Sequence, residues 1–263
     1  MTPTMGQAIS TQTPDGRRFG SADRRLPRNL RETELSAAPV SLVAEGTPPL
    51  EEHFARRLLN LSAATLGIVL AAPIMLAVAV LVKLTSHGPV IYTQTRVGLD
   101  KRAGGPGSDN HRRQRDIGGK PFRIYKFRTM KVDAEARSGA VWATPSDPRL
   151  TPIGGFLRKY RLDEIPQLFN VLKGDMNIVG PRPERPQLFD GLKESIENYH
   201  LRQRAKPGIT GLAQVSQQYD ACLDDVRRKV QYDLEYLRRR SLAEDIRIML
   251  KTVPVILFRR GGW

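Results

Sequence analysis

Two neighbouring carboxylates, Asp163 and Glu164, stand in the segment RKYRLDEIPQLFNVLKGDM, between a group of cations and an apolar run. Asp is a favoured N-cap residue because its carboxylate accepts a backbone N–H that has no partner inside the helix. Pro166 would fall in the first turn of a helix that begins at Asp163, where its missing N–H is no loss. A helix cap with its neighbour is therefore one interpretation of the pair, and a catalytic pair is the other.

The cations around this pair favour catalysis. A helix N-terminus favours negative charge, so it would lower the pKa of Asp163 and keep the carboxylate ionised, as a nucleophile that attacks phosphorus must be. Basic side chains precede the pair on the same segment and on an upstream strand, and together they can neutralise a diphosphate. They are Arg158, Lys159 and Arg161 on the segment, with Lys126 and Arg128 on the strand. A solvated cationic face is the alternative interpretation.

A second basic motif, GPRP, places Arg182 between Pro181 and Pro183. The prolines restrict the backbone and so fix the direction of the guanidinium, which can grip phosphate in two places. A tight turn with a surface charge is the alternative. Together with the carboxylate pair, the motif predicts phosphate chemistry, with Pro181 and Arg182 among the substrate-binding residues.

The segment 49–86 contains the apolar run LLNLSAATLGIVLAAPIMLAVAVLV. As a straight helix this run would be roughly 37 Å long, enough to cross a hydrocarbon core of about 30 Å. Pro73 lies at its centre, where a proline removes a backbone hydrogen bond and kinks a helix. Cations flank both ends, so the charge rule gives no clear direction of crossing. The residues alone leave open a single span and a re-entrant hairpin that breaks at Pro73.

The segment 87–263 has the mixed pattern of an α+β domain. PVIYTQTRV and PFRIYKFRTM are typical of short strands, and TPIGGFLRKYRL and DEIPQLFNVLKG predict short helices, the second ending at Gly174. Further along, apolar residues at helical spacing from Leu223 to Leu237 predict an amphipathic helix. Ser241 and Glu244 form a capping-box signature for a last helix, LAEDIRIMLKTVPVILF. Its apolar content suits an amphipathic interfacial helix on a membrane, and a core helix is the alternative.

Composition narrows the choice of partners. The net charge is +15, which suits polyanions, and the single cysteine, Cys222, excludes an intrachain disulfide framework. The four histidines have no zinc-site spacing. The composition of residues 1–48 predicts a disordered basic tail. The basic, glycine-rich composition of residues 101–119 predicts a mobile loop.

With these features in place, the chain resembles the bacterial sugar transferase family, the monotopic polyprenyl-phosphate phosphoglycosyl transferases that initiate exopolysaccharide and glycan assembly. The resemblance rests on PVIYTQTRVG, FRIYKFRTM, FLRKYRLDEIPQLFNVLKGDMNIVGPRP and KPGITGLAQV, in that order after a proline-broken apolar segment, and covers residues 52–260. It implies transfer of a sugar 1-phosphate from a UDP-sugar to undecaprenyl phosphate, with release of UMP. The lipid-linked product would then pass to downstream glycosyltransferases.

The resemblance also implies roles for single residues. Asp163 would be the nucleophile that forms a covalent phosphosugar intermediate, and Glu164 would help hold Mg²⁺ over the diphosphate. Arg158 and Lys126 match positions that contact phosphate or support the site, and Arg182 matches a position tied to nucleotide binding. The family's membrane segment is re-entrant, which favours a hairpin broken at Pro73 and a monotopic protein on the cytoplasmic face of the inner membrane.

Three departures from the family accompany this match. Ala72 precedes Pro73 where the family often has serine, and the loop 101–119 is longer and more basic than the family's compact version. The region 1–48 differs from the long forms of the family, which carry extra membrane spans, so the chain resembles a short form. Two rival interpretations remain: a membrane-anchored nucleic-acid-binding protein and an inactive scaffold. Because aromatic residues make up only 6% of the chain and no nucleic-acid module is recognised, we expect no nucleic-acid partner. The sugar is left open, and a homodimer is compatible with the sequence.

Overall fold

The computed structural model describes residues 50, 52–101, 118–134, 147–217 and 223–257. The predicted tail 1–48 and most of the loop 101–119 lie outside this range. The elements in chain order are listed here with their bounds: α1 Phe54–Thr85, β1 Ile91–Val97, β2 Pro121–Phe127, α2 Gly154–Lys159, a 3₁₀ helix Leu162–Glu164, α3 Gln167–Lys173, β3 Asn177–Val179, α4 Pro186–Ser195, a second 3₁₀ helix Tyr199–Arg204, β4 Gly208–Thr210, α5 Leu212–Ser216, α6 Leu223–Arg239 and α7 Leu242–Leu257.

The two strands predicted in PVIYTQTRV and PFRIYKFRTM are present and pair with each other. β1 and β2 are antiparallel, with Ile91 opposite Phe127 and Val97 opposite Pro121. A second small sheet pairs β3 and β4 in parallel, with Asn177 opposite Gly208. Helices cover both sheets, so the mixed α+β class predicted from the sequence is confirmed.

Among the described residues, one helix is long and apolar enough to cross a membrane, namely α1. It is one continuous helix of 32 residues with Pro73 inside it. The apolar segment therefore forms an unbroken helix in this structure, without the break predicted at Pro73. The re-entrant hairpin stays a prediction.

One stripe of α1 packs on the rest of the molecule at both ends of the helix. Near its start, Ala64 joins a buried cluster with Phe122 of β2 and Val171 of α3. Near its end, Val78 and Val82 join Phe127 of β2 and Leu157 of α2. Most other large apolar side chains of α1 are exposed, among them Leu66, Val69, Leu70, Leu76 and Leu84. The helix thus lies along the domain and presents its remaining face outward.

The last two helices follow the sequence pattern. On α6, Val226, Val230, Leu234 and Leu237 are buried, and the backbone N–H of Glu244 donates to Ser241 Oγ at 3.1 Å, as a capping box requires. On α7, Ile248 is buried, whereas an apolar row on the other side is exposed. That row comprises Leu242, Ile246, Leu250, Val253 and Ile256. The helix therefore has both a core face and an exposed apolar face.

Candidate active site

Glu164 lies at the centre of a cluster of cations. Its Oε1 accepts hydrogen bonds from Lys126 Nζ at 2.8 Å and from Arg182 Nη2 at 2.6 Å. Its Oε2 lies 3.4 Å from Arg161 Nη1. Although burial opposes ionisation, Arg182 and Lys126 hold the pKa of Glu164 well below its usual value. The Glu164 carboxylate is therefore a permanent anion that gathers three basic side chains.

Asp163 is buried beside this cluster but touches it less closely. Its side chain is 8% exposed, and Lys126 Nζ lies 4.0 Å from its Oδ2. Burial raises the pKa of Asp163 to about 6, although Lys126 and Arg158 favour the ionised form. The predicted lowering of this pKa is wrong because desolvation outweighs the charges around the carboxylate.

Asp163 is also not the N-cap of the following helix. It lies inside the 3₁₀ helix Leu162–Glu164, and α3 begins at Gln167 with Pro166 as its N-cap. Neither helix has a side-chain capping hydrogen bond. The predicted end of α3 is confirmed, since Gly174 takes the left-handed conformation with φ of 85°.

Arg161 turns the chain from α2 into the 3₁₀ helix. Its φ of 54° places it in the left-handed region, which costs a residue other than glycine about 1–2 kcal/mol. After this turn the Arg161 side chain lies within reach of the Glu164 carboxylate. The sequence pattern indicates Arg161 as one of the cations near the carboxylate pair. Its contact with Glu164 depends on this backbone conformation, which the pattern does not show.

The position of the pair relative to β2 is fixed by Asn170 of α3. Its Nδ2 donates to the Arg123 carbonyl at 2.7 Å, and its Oδ1 accepts the Tyr125 N–H at 3.0 Å. The amide thereby bonds the edge of β2 as a neighbouring strand would. This clamp holds the segment after Glu164 against the strand that carries Lys126.

The GPRP turn is held by the backbone of β4 and by two arginines, of which Arg202 is buried and Arg96 is partly buried. Pro181 is buried, and its carbonyl accepts the Gly208 N–H at 3.0 Å. The carbonyls of Arg182 and Pro183 accept hydrogen bonds from Arg202 at 3.0 Å and from Arg96 at 3.1 Å. A Cβ on Gly208 would meet the backbone N of Gly180 at 2.1 Å, so only glycine permits this approach. The side chain of Arg182 is therefore presented to Glu164 from a fixed turn.

Of the other predicted site residues, Arg158 joins the cluster electrostatically, and Arg128 lies elsewhere. Arg158 lies in the last turn of α2 and acts to lower the pKa of Asp163. The guanidinium of Arg128 donates to the carbonyls of Ser86 and His87 at 2.7 and 2.6 Å, where α1 ends. It links β2 to α1, and its predicted phosphate contact stays a prediction without a supporting contact.

Sequence reasoning missed Arg96. This β1 side chain is hydrogen-bonded to the GPRP turn, and burial lowers its pKa to about 10, with Glu184 acting in the opposite direction. It interacts electrostatically with Arg182 and Glu164. Strand alternation was the available signal, because Tyr92 pairs with Lys126 and Arg96 lies on the same face four residues later.

Within the described ranges, no group of three or more His, Cys, Asp or Glu side chains is arranged to hold a metal ion. Asp163 and Glu164 supply two carboxylates. Mg²⁺ characteristically binds one or two carboxylates together with substrate phosphates and waters, so this pair fits Mg²⁺ only in company with a phosphate ligand.

The chain is similar in sequence to a family of known proteins. The sequence pattern of the family described as bacterial sugar transferase matches residues 51–259. A UDP-N-acetylgalactosamine-undecaprenyl-phosphate N-acetylgalactosaminephosphotransferase of Aeromonas hydrophila is 43% identical over 80% of the chain and 45% of its own length. The UDP-glucose:undecaprenyl-phosphate glucose-1-phosphate transferases of Escherichia coli K12 and Caulobacter vibrioides are 38% and 37% identical, over 85% and 80% of the chain.

The chain covers 44% of the Escherichia relative and 72% of the Caulobacter relative. It thus spans less than half the length of the Aeromonas and Escherichia proteins. The match nevertheless includes all of the carboxylate and cation cluster described above. The chain belongs to the bacterial sugar transferase family.

Proposed function

We propose that this protein transfers a sugar 1-phosphate from a UDP-sugar to undecaprenyl phosphate, which gives the diphosphate-linked lipid and UMP. The observation that carries the proposal is a buried, ionisable carboxylate, Asp163, beside a carboxylate that holds cations in place. The cations that act on the two carboxylates include Lys126, Arg158, Arg161, Arg182 and Arg96, and they outnumber the carboxylates. This excess of positive charge complements the negative charge of a nucleotide diphosphate ester.

In the first step, an Oδ atom of ionised Asp163 attacks the phosphorus that carries the sugar. The bond from this phosphorus to the bridging oxygen breaks, and UMP leaves with the electron pair. With a pKa of about 6, the Asp163 carboxylate is ionised in about nine of ten molecules at pH 7. Lys126 and Arg182 lie where they can neutralise charge on the phosphoryl oxygens in the transition state.

In the second step, a phosphate oxygen of undecaprenyl phosphate attacks the same phosphorus, and the bond to Asp163 breaks. The carboxylate is regenerated, so the two bulky substrates need not occupy the site together. Glu164 and Asp163 would hold Mg²⁺ with the donor diphosphate, where the ion would neutralise phosphate charge. The relatives named above act on N-acetylgalactosamine and glucose donors, and the sugar used by this chain is decided by experiment.

We further propose that the protein attaches to the cytoplasmic face of the inner membrane without crossing it. Two observations support this. The domain contacts α1 near both its start and its end, so a straight crossing would carry part of the domain into the bilayer. The exposed apolar row of α7 offers a second surface for the lipid interface. Whether α1 opens into a hairpin at Pro73 when lipid surrounds it is part of the same proposal.

The test uses purified protein in native-like membrane particles, Mg²⁺ and a panel of UDP-sugars without lipid acceptor. The expected result is one equivalent of UMP with at least one sugar, together with a sugar-phosphate increase in protein mass. Asp163→Asn should give neither, whereas the exposed control Asp224→Asn should behave as the wild type. Absence of both UMP and adduct with every sugar, and of turnover after undecaprenyl phosphate is added, would overturn the proposal.

A further inference from the structure

Gln167 is a buried side chain whose amide nitrogen has no hydrogen-bond partner among the described residues. It is the first residue of α3 and is 2% exposed. Its Nε2 atom is fully buried and makes no hydrogen bond. A buried amide group without a partner costs about 1–3 kcal/mol, so native structures rarely keep one without a reason.

The neighbours of Gln167 place it beside the carboxylate pair. Three residues before it, Glu164 is bonded to Lys126 of β2, and three residues after it, Asn170 is bonded to the backbone of Arg123 and Tyr125 of the same strand. The backbone keeps a helical conformation at Ile165 and Pro166, between the 3₁₀ helix and α3, so residues three apart along this stretch share a face. The buried side chain of Gln167 therefore faces β2 between the Asn170 clamp and the Lys126–Glu164 ion pair.

The surroundings also indicate what the free amide would bind. An N–H donor requires an acceptor oxygen, and the cations next to it attract an anion that carries several such oxygens. In a site that holds a phosphoryl group on or near Asp163, the non-bridging oxygens of that group are such acceptors. Gln167 follows Asp163 by about one helical turn. A neutral donor there adds a hydrogen bond without adding charge.

We propose that the Gln167 amide donates a hydrogen bond to a non-bridging oxygen of the sugar phosphate during its transfer to Asp163. This inference rests on the proposed function and adds a substrate-contacting residue to it. The unbonded amide of the substrate-free protein is then a donor kept ready for the substrate, at a cost to stability.

The experiment compares Gln167→Met and Gln167→Leu with the wild type, and uses Gln187→Met on the exposed side of α4 as the matched control. Two quantities are measured, kcat/KM for UMP release without lipid acceptor and the melting temperature without substrate. An oxyanion donor typically contributes on the order of 100-fold to rate, so we expect kcat/KM to fall by roughly 10- to 100-fold in both Gln167 variants. Because apolar side chains remove an unbonded polar group, we expect an equal or higher melting temperature in at least one of them.

A similar loss is expected with every UDP-sugar that the wild type uses, since the phosphate is common to them. A loss confined to one sugar, wild-type kcat/KM in both variants, or a lower melting temperature in both would each overturn the inference. In those cases the wild type still releases UMP and the proposed function stands. If the wild type itself releases no UMP with any sugar, the proposed function fails and this inference fails with it.

Discussion

Asp163 and Glu164 are adjacent along the chain, yet the structure gives their carboxyl groups opposite properties. Both are buried, but Glu164 is hydrogen-bonded to Lys126 and Arg182, whereas Asp163 has Lys126 Nζ at 4.0 Å. The pKa of Glu164 is held well below its usual value, and that of Asp163 is raised to about 6. Glu164 therefore organises the cations, and Asp163 is the group that titrates near neutrality.

The proposed nucleophile should control the pH dependence of UMP release. Below about pH 6, protonation of Asp163 should lower kcat/KM for the donor about tenfold per pH unit. In Lys126→Met the midpoint should move to higher pH, because Lys126 is the charge that most favours ionised Asp163. Initial rates without lipid acceptor between pH 5 and 8 measure both. A flat wild-type profile, or a midpoint in Lys126→Met no higher than in the exposed control Lys120→Met, would contradict this.

The same pKa makes Asp163 a cost to stability at neutral pH. Its folded value of about 6 lies above the unfolded value of 3.8, so between these values the native state holds a proton that the unfolded chain lacks. Stability from this group is therefore present below about pH 4 and lost as pH rises through 6, about 3 kcal/mol in all. Asp163→Asn should raise the free energy of unfolding at pH 7 by roughly 1–3 kcal/mol, and the gain should shrink towards pH 4.

Thermal or denaturant unfolding of the purified protein measures this gain, with Asp224→Asn as the exposed control. An Asp163→Asn protein less stable than the wild type at pH 7 would show that the carboxylate supports the fold. A gain that is the same at pH 4 and pH 7 would also contradict the prediction, because the gain would then not come from the charge of Asp163.

The residues of the site were predictable from the sequence to different degrees. The cation runs and the GPRP motif indicated Lys126, Arg158 and Arg182, and the structure brings these to the carboxylate pair. The direction of the Asp163 pKa was not predictable, because it depends on burial by segments far away in the chain. Arg128 fits the same basic pattern, yet the fold assigns its guanidinium to the end of α1.

Helix α1 is fixed to the domain by buried polar bonds near its start. Arg56 Nε donates to Asp245 of α7 at 2.6 Å, and Tyr236 of α6 donates to the other oxygen of that carboxylate at 2.8 Å. Asn60 Oδ1 accepts the Ile178 N–H of β3 at 2.7 Å. The apolar helix, the last two helices and the parallel sheet therefore share one polar junction.

Breaking this junction should destabilise the whole protein. Removal of one member of a buried ion pair costs about 3–5 kcal/mol because the other charge is left unpaired, so Arg56→Met should lower stability by that amount. Adding Asp245→Asn to Arg56→Met should recover part of the loss, since the unpaired charge is removed. The control Arg227→Met breaks an exposed pair and should cost less than about 1 kcal/mol.

Unfolding of these variants in membrane particles gives the comparison. A loss in Arg56→Met no larger than in Arg227→Met would mean that the junction does not hold α1 in place. An equal loss in the single and the double variant would mean that the unpaired carboxylate is not its cause.

At the level of elements, short-range patterns predicted the strands and the last two helices. The β-branched and aromatic residues of β1 and β2 and the three- and four-residue spacing of apolar residues in α6 are local signals, so sequence alone was sufficient to predict these elements. The start of α3 was mispredicted at Asp163 because Pro166 and the left-handed Arg161 together favour a 3₁₀ turn before the α-helix. The packing of α1 along the domain was out of reach, since an apolar run does not show which of its faces is covered.

Across the whole molecule, exposed apolar faces occur together with a net positive charge. The exposed face of α1 and the exposed row of α7 are apolar, while the chain carries a net charge of +15. Such a combination favours an anionic membrane surface, where the proposed lipid acceptor would lie. The proposed one-sided attachment would keep the Asp163 cluster at the height where a water-soluble donor and a lipid phosphate meet.

One-sided attachment predicts that both ends of α1 face the same side of the membrane. His53 and His87 flank the helix and are exposed, so His53→Cys and His87→Cys, each combined with Cys222→Ser, give single reporters. A membrane-impermeant thiol reagent should label both reporters in inside-out bacterial inner-membrane vesicles and neither in right-side-out vesicles. A helix that crosses the membrane would expose one reporter on each side, because about 30 Å of hydrocarbon would separate them. Labelling of the two reporters in opposite vesicle orientations would therefore disprove the one-sided arrangement, and retained UMP release in both variants would show that the labelled protein is the folded one.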